Sequence, residues 1–531
     1  LFAAASSVYV TWPQALVMST MAAAHQDVEF SIWRLQWIAH ALITSPSRLF
    51  DPDIFHPAAH ALAYSDATLL EGLVAAPFLW AHVPPLLVYN LLLLAGFAGS
   101  GLAMFVLVRH LTGSAGASIV AAAIFTMAPY RIEHFMHLEL QWTMFVPLTV
   151  WALHRSVDTG SAKFGVLAGT FLWLQVLSCI YYGVFLAMLL LVFAPMLILG
   201  ARSSRVRPAI TAVLAAAGVS IALTLPYALP YRAAAHDLGV RDAGEIARYS
   251  ATLTSYVATS NLNLLWGWTA DRFGAPELRL SPGVLALVLA ALSWAHRPRR
   301  VALVYLVAVI VAIELSFGSN GLAYQAFAGR VALLQGLRSW SRLGIVAEFG
   351  IAVLSGFGAL AILQRIPSRS RTPAIVLLVA LAALEYGNRP MALSSGDPVR
   401  PPDAYAALRR APAGTLIDLP VPRLDRLPGW EPYYEAWQAW HWRPLVNGYS
   451  GYYPVDYLET LIRMTVFPDD TSIRRLRERD VSFVMVHRAF YDADEYTRLM
   501  LRIARRPELK PWGTFKDSVG LADIFELSRV E

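Results

Sequence analysis

Apolar runs long enough to cross a lipid bilayer recur along this chain from its first residue to about Asn388. A spanning segment needs about 20 mostly apolar residues. Its backbone must satisfy its own hydrogen bonds inside hydrocarbon, which makes each run a helix. Eleven runs meet or approach that length: roughly 1–20, 85–108, 114–130, 140–154, 162–178, 181–200, 208–228, 282–296, 301–318, 343–363 and 372–387. Over 531 residues the chain is 56% hydrophobic and only 15% charged, whereas soluble domains carry roughly 25% charge. A cytosolic enzyme, a disordered scaffold and a secreted disulfide module are excluded. The expectation is an α-helical polytopic membrane protein of about 11 transmembrane helices over 1–387, with a separate domain over 388–531.

The net charge of +6 comes almost entirely from arginine, with Lys163, Lys510 and Lys516 the only lysines. Alternate linkers hold the basic residues: Arg109 and His110; Arg155 and Lys163; Arg202, Arg205 and Arg207; Arg297, Arg299 and Arg300; Arg365, Arg369 and Arg371. Positive linkers stay in the cytoplasm, so this charge reports topology, not a nucleic-acid surface, and no nucleic-acid partner is expected. The N-terminus then lies inside. Outer loops 13–84 and 228–281, the turns 130–141 and 178–182, the segment 318–342 and the tail face outward. The first run ends at Trp12-Pro13 without the basic start or cleavage site of a signal peptide. It reads as a remnant of a first span. Cys179, the single cysteine, sits in an apolar stretch and behaves as a small buried hydrophobe.

The unusual residues gather on the outer side. Phe30–Ile43 has helical periodicity with Trp33 and Trp37 on one face, the pattern of an amphipathic helix lying in the membrane interface. Leu69–Ala81 is similar and too short to span. After Arg389-Pro390 the composition turns charged, and helical segments alternate with β-rich ones at Thr415–Leu419, Val481–His487 and Gly520–Leu527. An extracytoplasmic α/β domain of ordinary size follows.

Four constellations carry possible chemistry. In His25-Gln-Asp27-Val-Glu29 the acids would share one side if the segment is extended. There a carboxylate can deprotonate a hydroxyl or hold a divalent cation; the alternative is a helix start capped by Asp27. Tyr130–Gln141 packs Arg131, Glu133, His134, His137 and Glu139 into one turn. Ionisable groups at that depth are functional candidates, for phosphate, sugar or metal contact, against a wet interfacial turn. Arg338-Ser-Trp340-Ser-Arg342 sets two guanidinium forks four apart, suited to phosphate oxygens or to snorkelling toward lipid headgroups. Trp430–Tyr453 holds nine aromatic residues in 24, a sugar-stacking wall or a docking core, and its Asn447–Gly451 turn would set a polar loop against the membrane surface.

No Walker loop, dinucleotide fingerprint or Gly-x-Ser-x-Gly elbow is present, and the cytoplasmic linkers are too short for a nucleotide-sugar domain. The chain resembles the membrane-embedded glycosyltransferases of the GT-C superfamily, and more closely the bacterial multi-spanning branch likened to the YfhO family. The matching phrases are Asp27 with Trp33 and Trp37, Leu49-Phe-Asp-Pro-Asp-Ile-Phe-His-Pro57, Leu62-Ala-Tyr-Ser-Asp66 and Ala128-Pro-Tyr-Arg-Ile-Glu-His134. They continue through Ser178-Cys-Ile-Tyr-Tyr-Gly183, Arg338–Arg342 and Arg443-Pro-Leu-Val-Asn-Gly-Tyr-Ser-Gly451.

That resemblance implies a polyprenyl-phosphate sugar donor, a catalytic acid in the first outer loop and an outer C-terminal domain. The acid maps to Asp27, with Glu29 beside it; the family more usually has two adjacent acids, and here Val28 separates them, so Asp27 is the expected base and Glu29 is expected to assist it or to bind a cation. Donor-phosphate and substrate contacts are expected from Arg131, His134, His137, Glu139, Arg338, Arg342, Tyr181, Tyr182 and Asp53. The cofactor left open is a divalent cation, Mg or Mn, with Asp27 and Glu29 as ligands. The expected activity is transfer of a hexosyl or pentosyl group to a glycan, lipid or protein acceptor at the outer face of a bacterial plasma membrane, among membrane lipids. The rival reading is a lipid-linked glycan transporter, or a non-catalytic envelope assembly factor. A transporter would place charge at mid-span, where this chain has little.

Overall fold

A computed structural model describes residues 2–239, 241–295, 299–327, 336–396 and 400–528; Arg297 and part of the segment 318–342 lie outside the described residues. Each apolar run contains helix. Among the described residues, five helices are long and apolar enough to cross a membrane: Pro85–Thr112, Ala115–Glu133, Ile180–Leu199, Ser203–Leu238 and Trp340–Arg365. Several expected spans come out shorter. The first run is helical only over Phe2–Val10 and then gives way to a short turn at Gln14–Leu16. The run 140–154 is divided between Leu138–Gln141 and Phe145–Thr159. At 1.5 Å per residue, such pieces do not cross about 30 Å of hydrocarbon alone.

Small residues let the helices approach. A Cβ on Gly165 or Gly169 would overlap the backbone carbonyl of Ala212 or Ala216, so Ala162–Ser178 and Ser203–Leu238 touch backbone to backbone through a small-xxx-small pattern. Ser203–Leu238 runs 36 residues, about 54 Å of helix. It therefore continues well into what the sequence assigned to the outer loop 228–281.

The tail holds a four-stranded sheet. Strands β1 (Met21–Ala23) and β2 (Leu393–Ser395) pair separately, joining the end of the first helical region to the start of the tail. In the tail, β3 (Thr415–Leu419) runs parallel to β4 (Val481–His487). Next to β4 lies antiparallel β6 (Leu521–Leu527), which pairs with β5 (Leu509–Lys516), giving the order β3-β4-β6-β5.

The helix Gln26–Thr44 is where expected, but its aromatic face meets protein and not lipid. Trp33 and Trp37 are fully buried. Trp33 Nε1 donates to Gln438 Oε1 at 3.0 Å, and Trp37 packs on Trp442 at 5.9 Å between ring centroids. Gln438 Nε2 donates in turn to the Asp53 carbonyl at 2.6 Å, and the backbone of Asp53–His56 exchanges hydrogen bonds with Leu445 and Asn447. Phe30, Trp33, Trp37, Ile54 and Phe55 share one hydrophobic core with Ile417, Leu419, Val446 and Val484. The first outer loop is thus part of the tail's core. Periodicity identifies an apolar face but not what covers it.

Candidate active site

Between this joint and the outer ends of the helices lies a cavity of about 880 Å³. Its residues come from the first turn of Gln26–Thr44, the turn 134–141, the start of Ile180–Leu199, the top of Ser203–Leu238, the outer loop, Arg338–Arg342 and the tail loop 449–453.

Asp27 sits in the first turn of its helix, with His25 as the N-cap accepting the Asp27 N–H at 3.2 Å. The helix thus begins at Gln26, so the acids are not extended and Asp27 is not the cap. A helix N-terminus favours a carboxylate. Asp27 Oδ2 lies 3.5 Å from His25 Nδ1 and 3.8 Å from His137 Nδ1. The Tyr449 hydroxyl, from the tail loop, donates to Asp27 Oδ1. Beyond His137, Glu139 pairs with the buried Arg34 at 3.2 Å, and Arg34 donates to the Asp66 carbonyl at 2.5 Å. The Asp66 carboxylate accepts the Ile180 N–H at 2.6 Å, at the start of Ile180–Leu199. Burial, helped by the charge of Glu139, pushes Asp66 up to about 6.

The arginine side of the cavity is made of ion pairs laid on aromatic rings. Arg342 reaches Glu277 at 3.1 Å and lies 5.2 Å from the Tyr181 ring centroid. Burial works to raise the Glu277 carboxyl, but Arg342 and the other basic groups around it together outweigh burial and bring Glu277 down to about 2. Arg338 meets Glu245 at 2.9 Å, and its backbone N–H donates to the Tyr181 hydroxyl at 3.2 Å. Glu245 also holds Arg241 at 3.2 Å, whose guanidinium covers the Tyr452 ring.

Of the residues singled out from sequence, Asp27, His137, Glu139, Tyr181, Arg338 and Arg342 line this one cavity. Five do not. Glu29, two positions past Asp27, points to another side of the helix, because residues i and i+2 do not share a face. Arg131 is buried and donates to the Gln141 carbonyl at 2.6 Å, with its guanidinium 4.4 Å from the Phe97 centroid; it ties the turn together. His134 is buried against Tyr130, and burial pulls it down to about 3, so it stays neutral and has no charge to offer a phosphate. Tyr182 is buried with its hydroxyl 3.2 Å from that of Tyr130. Asp53 pairs with Arg48 at 2.9 Å on the loop docked to the tail.

Among the described residues no group of three or more His, Cys, Asp or Glu side chains gathers to hold a metal ion by itself.

Sequence reading passed over Arg34, Arg241, Glu245 and Glu277 as site residues, took Tyr449 only as one ring of an aromatic wall, and did not place Asp66, although that acid closes one of the quoted phrases. Arg34 carried a signal: a cation among Phe30, Trp33 and Trp37 does not suit a face turned to lipid. Arg241 and Glu245 stand at i,i+4 spacing in the outer loop, but no local spacing links that pair to Glu277. The aromatic stretch of the tail divides its work. Tyr434 and Trp437 fill the tail core, Trp442 docks on the outer helix, and Tyr449, Tyr452 and Tyr453 line the cavity.

No family model and no curated protein matches the chain. Solved structures do. The cryo-EM structure of arabinofuranosyltransferase AftD from Mycobacteria superposes with a TM-score of 0.68 at 14% identity, covering 99% of this chain and 40% of that one. Its R1389S mutant in a second class gives 0.64 at 15% identity, over 100% of this chain and 41% of that one. Archaeal oligosaccharyltransferase AglB from Archaeoglobus fulgidus, in complex with an inhibitory peptide and a dolichol-phosphate, gives 0.50 at 13% identity, over 99% and 73%. The chain shares its fold with the aligned parts of these solved structures. It spans about 40% of the length of the arabinofuranosyltransferase it resembles.

Proposed function

We propose that the chain transfers a sugar from a polyprenyl-phosphate donor to an acceptor hydroxyl at the outer face of a bacterial plasma membrane. The observation that carries this reading is a helix-start carboxylate, Asp27, holding an O–H group in the same cavity as the guanidinium groups of Arg338 and Arg342. Asp27 takes the acceptor proton while the acceptor oxygen attacks the anomeric carbon. The polyprenyl phosphate leaves with the bonding electrons, and the arginines steady its growing charge, a stabilisation that is often the largest catalytic contribution. A single displacement inverts the anomeric centre.

Five arginines and six carboxylates line the cavity, so a phosphate must compete with Glu245 and Glu277 for its partners. Arg338→Ala and Arg342→Ala should each weaken binding of polyprenyl phosphate in detergent by about 1.5–3 kcal/mol, the net value of a charge-assisted hydrogen bond. Glu277→Gln, which removes the competitor of Arg342, should tighten it. Three variants with wild-type affinity would leave the arginines as structural partners of the loop acids and refute the phosphate role.

Orientation is tested separately. In a Cys179→Ser background, a cysteine at Thr497 on the tail should react with an impermeant thiol reagent in intact cells, and one at Ser204 should not. The reverse pattern would turn the cavity to the cytoplasm.

A further inference from the structure

The tail loop that reaches Asp27 is braced on both sides. The Tyr449 N–H donates to Glu435 Oε1 at 2.5 Å, Asn447 accepts the Asp418 N–H at 2.7 Å, and the Gly451 carbonyl accepts from Arg241 at 2.9 Å. Gly448 lies against the Phe55 ring so closely that a Cβ would overlap it. The phenol of Tyr449, stacked edge-on against Phe30 at 5.1 Å, is thereby presented to the carboxylate that the transferase reading makes the base.

We propose that the acceptor is a carbohydrate, and that the Tyr449 hydroxyl occupies the seat on Asp27 that a sugar hydroxyl takes by displacing it. This rests on the transferase reading. Three observations select the class. The group held on Asp27 is an O–H donor, so the seat is shaped for a hydroxyl. The same cavity is lined by the rings of Tyr64, Tyr181, Tyr231, Tyr249 and Tyr452, three of them with an arginine on one face, which leaves aromatic surface for the C–H faces of a sugar and phenols and paired charges for its hydroxyls. An alkyl acceptor would leave those polar groups without partners. Finally, no residue lining the cavity belongs to a strand, so there is no sheet edge on which an extended peptide could pair its backbone. In the step itself, the sugar O–H proton passes to Asp27, the acceptor oxygen bonds to the donor's anomeric carbon, and the bond from that carbon to the phosphate oxygen breaks. Polyprenyl phosphate departs with the electron pair.

The test offers the purified full chain labelled polyprenyl-phosphate arabinofuranose or polyprenyl-phosphate hexose. The acceptor arms are linear oligosaccharides, a serine- and threonine-containing peptide, and a free polyprenol. Release of polyprenyl phosphate is followed alongside label in each acceptor. Label should enter the oligosaccharides alone. Tyr449→Phe, which empties the seat, should lower the acceptor KM about tenfold with kcat nearly unchanged, the value of one charge-assisted hydrogen bond no longer displaced. Label entering the peptide or the polyprenol would overturn the carbohydrate acceptor and leave the transferase standing. A fall in kcat at unchanged KM would make Tyr449 an orienting group for Asp27 and overturn the seat. No polyprenyl phosphate released in any arm would remove the transferase reading, and this inference with it.

Discussion

Asp27→Asn should abolish sugar transfer, lowering kcat by about 10²–10⁴-fold, the range lost with a general base, while the protein still folds and binds polyprenyl phosphate. Asparagine keeps the size of the side chain and can still accept the Tyr449 hydroxyl. It cannot take up a proton as the acceptor oxygen attacks. Folding should survive because Asp27 is not the N-cap: His25 supplies that bond. Glu29→Gln is the matched control. The structure turns Glu29 away from the cavity, so its loss should be small beside that of Asp27. Membrane-based transfer from a purified donor, run with and without chelator, measures both. If Asp27→Asn turns over like wild type, the acid serves only the helix start, and the transporter reading gains what the enzyme reading loses. A rate that collapses on chelation would show that a divalent cation takes part in the transfer.

The positions of the helices and of strands β3 and β4 were legible in the sequence because both are local patterns. A run of apolar residues is a helix in lipid, and a short β-rich run such as Thr415–Leu419 or Val481–His487, buried almost throughout, is a strand. Strand β5 was missed, since Leu509–Lys516 carries two lysines and a proline, with several of its residues exposed. Local patterns also gave the helix Gln26–Thr44 but misassigned its aromatic face, because a lipid surface and the tail's core want the same residues there.

The site was legible to the extent that chemistry sat at a membrane boundary. Arg338, Arg342, His137 and Glu139 stood out as ionisable groups in costly places and do line the cavity. The same rule admitted Arg131, which is tied to the Gln141 carbonyl inside the turn, and His134, which is buried against the Tyr130 ring. Burial price alone does not tell a ligand-facing charge from a structural one. The contact that completes the site, Tyr449 on Asp27, joins residues 422 positions apart, beyond any periodicity.

Arg34→Ala should destabilise the protein by about 3–5 kcal/mol, the cost of leaving a buried charge without its partner. Arg34 and Glu139 are 2% and 5% exposed at their side chains, and the guanidinium also satisfies the Asp66 carbonyl and Ser31. The alanine strands all three. Chemical unfolding in detergent reads the loss. Arg34→Met combined with Glu139→Gln should recover most of it, because removing both charges removes the desolvation that made the single change costly. A single variant as stable as wild type would mean that water reaches Glu139 and that the pair holds nothing. The pair has a second role that the same variants separate. It ties the helix carrying Asp27 to the turn carrying His137, and so fixes the acid within 3.8 Å of the imidazole. If the double variant regains stability but not transfer, the ion pair is there to place Asp27, and the fold could have been held by apolar packing at that position.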